Sequence, residues 1–177
     1  MYKITEEKEV DGLEKSKKII NILLVEDNQA DARLVTEYLQ ENENYNFNII
    51  YADCLAKALL EIKNEKLDVV ILDLALPDCT GLETFRRIWT ETEQNSMLPI
   101  IVLTGAILTK GNLKFSIEES QAFLFKQDLD SKVLVNSILH AIERQTAKKK
   151  VMLLMKEIQN KNLNIRKVVI GTKAGND

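Results

Sequence analysis

IINILLVEDNQADARLVTEYLQ, residues 19–40, is the stretch on which the architecture turns. Six of its first seven residues are isoleucine, leucine or valine, with Asn21 the one polar residue among them. A half-exposed strand would alternate polar and apolar residues, whereas a parallel strand covered on both faces reads as a near-continuous apolar run like this one. The acidic pair Glu26 and Asp27 ends it. Asn28 then offers an N-cap, and Ala30, Leu34, Val35, Tyr38 and Leu39 recur at helical spacing. A buried strand that passes straight into an amphipathic helix is the start of a βαβ unit.

The same rhythm continues outward. FNIIYA (47–52), with Asp53 as a cap, leads into a helix carrying Leu55, Ala58, Leu59 and Ile62. DVVILDL (68–74) reads as a third strand, followed by a loop punctuated by Pro77 and Gly81 and a helix with Leu82, Phe85, Ile88 and Trp89. IIVLT (100–104) and AFLF (122–125) are the fourth and fifth strands. Between them Gly111 interrupts a stretch whose apolar residues Leu113, Phe115 and Ile117 alternate, so a short or mobile fourth helix is expected there. From Ser131 a helical pattern runs through Val133, Leu134, Ile138, Ala141 and Ile142 to about Lys161 without Gly or Pro. Parallel strands must be joined by right-handed crossovers. Five βα repeats therefore predict an α/β fold, a doubly wound five-stranded parallel sheet with an extended C-terminal helix.

Composition narrows the class. The 177 residues suit one domain with appended tails, and 45% hydrophobic with 29% charged residues excludes a disordered or collagenous chain. Two cysteines, Cys54 and Cys79, are too few for a disulfide scaffold and suit a reducing cytoplasm. No apolar window reaches the length of a membrane span, and the first 18 residues interleave acids with lysines, unlike a signal peptide. A cytoplasmic protein is expected. Residues 21–142 carry 10 basic and 19 acidic side chains, residues 143–177 carry 9 and 3. The basic tail is spaced among apolar residues as a solvated helix face would be, so binding to nucleic acid is not expected.

In doubly wound sheets, ligands bind beyond the carboxyl ends of the strands. Glu26, Asp27, Asp73, Thr104 and Lys126 stand there. Three carboxylates in one crevice stay ionised together only if a cation compensates them, and oxygen donors without His or Cys suit a hard divalent ion such as Mg2+. Lys126 adds a point charge and Thr104 a hydroxyl, completing a receptacle for a phosphoryl group, with Asp73 as the central nucleophile able to form an acyl phosphate.

LLVEDN (23–28), DARL (31–34), DVVILDLALPDCTGLE (68–83), LPIIVLTG (98–105) and FLFK (123–126) together resemble the receiver domain of two-component response regulators, over about residues 20–145. The spacings agree as well: 46 residues from Asp27 to Asp73, 31 from Asp73 to Thr104 and 22 from Thr104 to Lys126. The resemblance implies a flavodoxin-like strand order 2-1-3-4-5 and a signalling phosphoacceptor rather than an enzyme. It implies that Asp73 receives the phosphoryl group from a sensor histidine kinase, and that Glu26, Asp27, Asp73 and the backbone carbonyl of Ala75 hold magnesium. Thr104 and Lys126 then meet the phosphoryl group, and Thr104 with Phe123 forms the switch. An alternative is the receiver module of a larger hybrid kinase or other effector enzyme.

Three departures from the family pattern lie near the fifth strand. Gln127 stands where proline often follows the lysine, which removes the usual reason for a cis bond. Phe123 replaces the commoner tyrosine and lacks its hydroxyl, and SQA (120–122) lacks a glycine. Rival readings fare worse. A haloacid-dehalogenase-type phosphatase needs a second acid two residues after the nucleophile, where this chain has Ala75. His140 on a helix has no following proline or ATP-binding motif to make it a kinase histidine, and a DNA-binding regulator needs more than the residues after the receiver supply.

The regions expected are a polar extension at 1–19, the receiver at 20–145, a helical extension at 146–170 and a disordered end at 171–177. Val151, Leu154, Ile158, Lys161, Ile165 and Val168 alternate at spacings of three and four, as a two-stranded seam would. A homodimer through this helix, packing back on the domain, and a linker to a further domain all fit that pattern.

Overall fold

The computed structural model describes residues 17–95, 98–105 and 122–173, without the side chains of 93–95 and 162–173. Five parallel strands form one sheet: β1 (Lys18–Val25), β2 (Tyr45–Ala52), β3 (Val69–Leu72), β4 (Ile100–Thr104) and β5 (Ala122–Phe125). Their order is β2-β1-β3-β4-β5, the doubly wound order expected. The chain moves outward from β1 first to one edge and then to the other, and that reversal opens a crevice between the ends of β1 and β3.

Period-two alternation within the buried runs builds two cores. Leu23, Val25, Val70, Leu72, Ile100 and Val102 face one side, under α2 (Leu55–Asn64) and α3 (Leu82–Asn95), with Ala58, Ile62, Phe85 and Ile88. Ile22, Leu24, Val69, Ile71, Ile101 and Leu103 face the other, under α1 (Gln29–Gln40) and the C-terminal helix (Ser131–Lys173), with Val35, Leu39, Leu134 and Ile138. Strands covered on both faces leave little place for charged residues between their ends, which is why the carboxylates collect at the tips.

Helix starts follow capping chemistry, with one correction. Asn28 Oδ1 accepts from the backbone N–H of Ala30 and Asp31 at 2.9 and 3.4 Å, as expected. At α2, Asp53 is not the cap. Cys54 holds the N-cap position and makes no side-chain bond, while Asp53 lies 3.9 Å from Lys57. The free N–H groups of Leu55 and Ala56 donate instead to Asp78 Oδ1 and Oδ2 at 2.8 and 3.0 Å. Asp78 comes from a two-residue antiparallel hairpin, Ala75–Leu76 against Cys79–Thr80, that follows β3. Gly81 closes that loop with φ 67°, a conformation only glycine adopts without strain, and donates its N–H to Leu74 O at 2.7 Å.

The third strand is shorter than its apolar run, ending at Leu72 because the chain turns into the hairpin. The expected fourth helix lies outside the described residues. No cis peptide bond occurs among the described residues. The C-terminal helix continues past Gly171 to Lys173, where the sequence suggested a disordered end from 171. Among the described residues, no helix is long and apolar enough to cross a membrane.

Candidate functional site

The crevice at the strand ends gathers the acidic residues. Glu26 follows β1 and is held by its own N–H, which donates to Ala52 O at 3.0 Å. Asp73 follows β3 and is tied by its N–H to Val25 O at 2.9 Å, so the two carboxylates are fixed by backbone bonds between neighbouring strands. Glu26 is fully buried, Asp73 is 5% exposed and Asp27 is exposed. One carboxylate oxygen from each of Glu26, Asp27 and Asp73 lies within 4.8 Å of the other two, close enough for one cation to touch all three.

Lys126, just beyond β5, reaches back into this cluster. Its Nζ lies 2.7 Å from Glu26 Oε2, 2.8 Å from Asp73 Oδ2 and 2.8 Å from Asp31 Oδ2. The contacts to Asp73 and Asp31 are hydrogen bonds, whereas the Glu26 contact is an ion pair only, so the buried Oε2 has no hydrogen bond. Glu26 Oε1 accepts from Asn28 N–H at 3.2 Å. Burial pushes the Glu26 carboxyl up to about 7; the Asp73 charge adds to that push, while Lys126 and the Asn28 N–H oppose it. For Lys126, burial works downward, but the carboxylates of Asp31, Asp73 and Glu26 outweigh it and hold the ammonium above its ordinary range.

Three carboxylates whose oxygens converge, with no His or Cys among them, are a donor set that fits a hard divalent cation. Thr104 is buried at the end of β4. Ala75 donates its N–H to Asp73 Oδ1 at 3.2 Å, which fixes the rotamer of that carboxylate. Phe123 is half-buried on β5 opposite Val102, packed against the core cluster that includes Phe85. His140 is exposed on the C-terminal helix.

Two residues of this neighbourhood were given no role in the sequence reading. Asp31 belongs to the DARL motif and stands in the first turn of the helix that follows the Glu26–Asp27 pair, which was a usable signal for the same mouth. Asp78 is separated by 23 residues from the helix it caps, and no local pattern announces that contact.

A family model described as the response regulator receiver domain matches residues 22–139. The KDP operon transcriptional regulatory protein KdpE of Escherichia coli is 39% identical over 85 residues, covering 48% of this chain and 35% of that protein. This chain thus spans only about a third of that relative. Among solved structures, a CheY-like response regulator receiver domain protein from Methanospirillum hungatei superposes with a TM-score of 0.60 at 23% identity, covering 74% of this chain and 99% of that one. The Mn(2+)-bound form of response regulator Rcp1 superposes with a TM-score of 0.54 at 26% identity, covering 67% and 89%. With the acidic crevice on the matched strands and more than half of its length under the family model, this chain belongs to the response regulator receiver domain family.

Proposed function

We propose that this receiver accepts a phosphoryl group from a sensor histidine kinase onto Asp73 in a magnesium-dependent reaction, and signals in the cytoplasm by conformational change and protein contact. The observation that carries this reading is the presentation of Asp73 at a strand tip, grouped with Glu26 and Asp27 and 2.8 Å from the Lys126 ammonium. One carboxylate oxygen of Asp73 attacks phosphorus, the P–O bond forms as the P–N bond of the phosphohistidine breaks, and the departing imidazole keeps the electron pair and takes up a proton.

Glu26, Asp27, Asp73 and the Ala75 carbonyl would hold magnesium, which when bound neutralises the phosphoryl oxygens. A divalent ion is also named for the structurally similar Rcp1. The Ala75 N–H steers Asp73 by binding its Oδ1, leaving the carboxylate plane fixed during attack. Lys126 follows the charge: as Asp73 becomes an acyl phosphate, the Lys126 ammonium transfers a hydrogen bond from the carboxylate to a phosphoryl oxygen. The Thr104 hydroxyl donates to another phosphoryl oxygen, and Phe123, lacking a hydroxyl, responds by repacking against the core. Output passes through protein contact, as a homodimer joined by the C-terminal helix, whose exposed Val151, Leu154 and Ile158 supply an apolar seam.

The direct test is intact mass after incubation with acetyl phosphate. The mass should rise by one phosphoryl group with magnesium present and not with chelator. Label that persists without magnesium, or a wild-type protein that never gains mass, would refute the proposal.

A further inference from the structure

Asp31 has no part in the phosphoacceptor reading, yet it binds Lys126 as closely as Asp73 does. Its Oδ2 accepts from Lys126 Nζ at 2.8 Å, equal to the bond to Asp73 Oδ2. Asp31 arrives from the first turn of α1, 95 residues away in sequence from Lys126. Its side chain is 36% exposed against 6% for Asp73, so the ammonium is suspended between the floor of the crevice and its rim.

The difference matters when charge moves. A lysine ammonium has three donors and no acceptor. Two of its contacts here are hydrogen bonds, to Asp73 and Asp31, and Glu26 contributes charge without one. When Asp73 becomes an acyl phosphate, the negative charge shifts from its carboxylate to the phosphoryl oxygens and the Lys126–Asp73 bond must be exchanged. Asp31 does not react. Its bond survives the exchange, keeps the long flexible side chain within a short swing of the incoming group, and draws part of the positive charge off Asp73 so that its carboxylate attacks more freely. Holding a donor where charge will develop, before it develops, is what lowers a barrier of this kind.

We infer that Asp31 is a positioning residue that anchors Lys126 at the rim of the crevice and so sets the rate at which Asp73 is phosphorylated. This rests on the reading of Asp73 as phosphoacceptor. It is distinct from metal binding, because Asp31 acts through the lysine and not through the cation site.

The test uses the full 15N-labelled chain and two readouts. The first is the lysine ammonium resonance of Lys126, assigned by its disappearance in Lys126→Ala. The second is the initial rate of mass gain with acetyl phosphate and magnesium. Asp31→Ala should broaden or shift the resonance and slow phosphorylation roughly tenfold, the low end of what losing an outer partner of a site residue costs. Asp31→Glu should recover most of both effects, and Asp31→Asn, which keeps an acceptor but not the charge, should fall between. An Asp31→Ala protein with wild-type rate overturns the inference whether or not the resonance moves, and so does a loss that Asp31→Glu leaves unrecovered in a protein of unchanged melting temperature. If wild type gains no phosphoryl group, the phosphoacceptor reading fails on its own, and the resonance alone decides whether Asp31 holds Lys126.

Discussion

The C-terminal helix passes through two environments within one continuous element. Up to Gln145 it is a wall of the domain: Leu134, Val135, Ile138, Ala141 and Gln145 are buried at spacings of one, three, three and four, against the face of the sheet that α1 also covers. From Thr146 to Lys161 every side chain is exposed, among them Val151, Leu153, Leu154, Met155 and Ile158. The second half is as apolar as the first. Periodicity in a sequence thus says that a helix face needs cover; it does not say what provides it. A helix of 43 residues is about 65 Å long, well beyond what the domain behind it spans, and water alone holds such an extension only marginally.

The largest effects separate the two regions outright. Asp73→Asn should abolish the magnesium-dependent gain of mass, whereas ending the chain at Ala147 should leave that gain intact, since no described contact of the crevice involves the extension. Sedimentation of the same two proteins sharpens the contrast. The Asp73→Asn chain should still form a dimer at micromolar concentration, and the shortened chain should be a folded monomer. A full-length monomer, phosphorylated or not, would break the proposed role of the extension and leave a linker as its reading.

A smaller effect compares like substitutions in the two halves. Ile138→Ala removes a fully buried side chain and should cost about 3 kcal/mol in urea unfolding. Leu154→Ala removes one that is half exposed and should change monomer stability by no more than about 0.5 kcal/mol. It should act instead on the association constant. Equal losses from both substitutions in dilute protein would mean that the extension folds back onto the domain.

Most of the fold and of the crevice was legible in the sequence because both rest on local patterns. Runs dominated by Ile, Leu and Val, such as IINILLV and VVIL, have a single comfortable place, the middle of a parallel sheet, and the charged residues that end them gather at its tips. Glu26, Asp73 and Lys126 were therefore findable one strand at a time, and the structure brings them together. What was not legible is contact between distant segments. Asp53 stood in the right place to cap α2 by local rules, but Asp78 reaches that helix through tertiary folding. Asp31 carried the ordinary signature of an acidic first-turn residue, and only the arrival of Lys126 from β5 gives it a second role.

A further effect, smaller than that of Ile138→Ala, probes the Asp78 cap, which ties the hairpin after Asp73 to α2 within the body itself. The N–H groups of Leu55 and then Ala56 donate to Asp78 and hold its carboxyl below the usual range, with Arg87 adding a weaker pull. Asp78→Ala leaves both donors without a side-chain partner and should cost about 1 kcal/mol at neutral pH. Because the folded pKa is the lower one, the stabilisation is present above the unfolded value of about 3.9 and is lost as pH falls through the folded value. Urea midpoints of wild type and Asp78→Ala should therefore differ at pH 7 and converge in acid. Asp78→Asn, which keeps an acceptor for the same donors, should lose less at pH 7 and show little of the convergence. Midpoints that differ by the same amount at both pH values would show that the cap works without its charge. Identical midpoints at pH 7 would show that α2 does not depend on the hairpin, and that the body is less tightly tied to its site loop than the bonds to Leu55 and Ala56 imply.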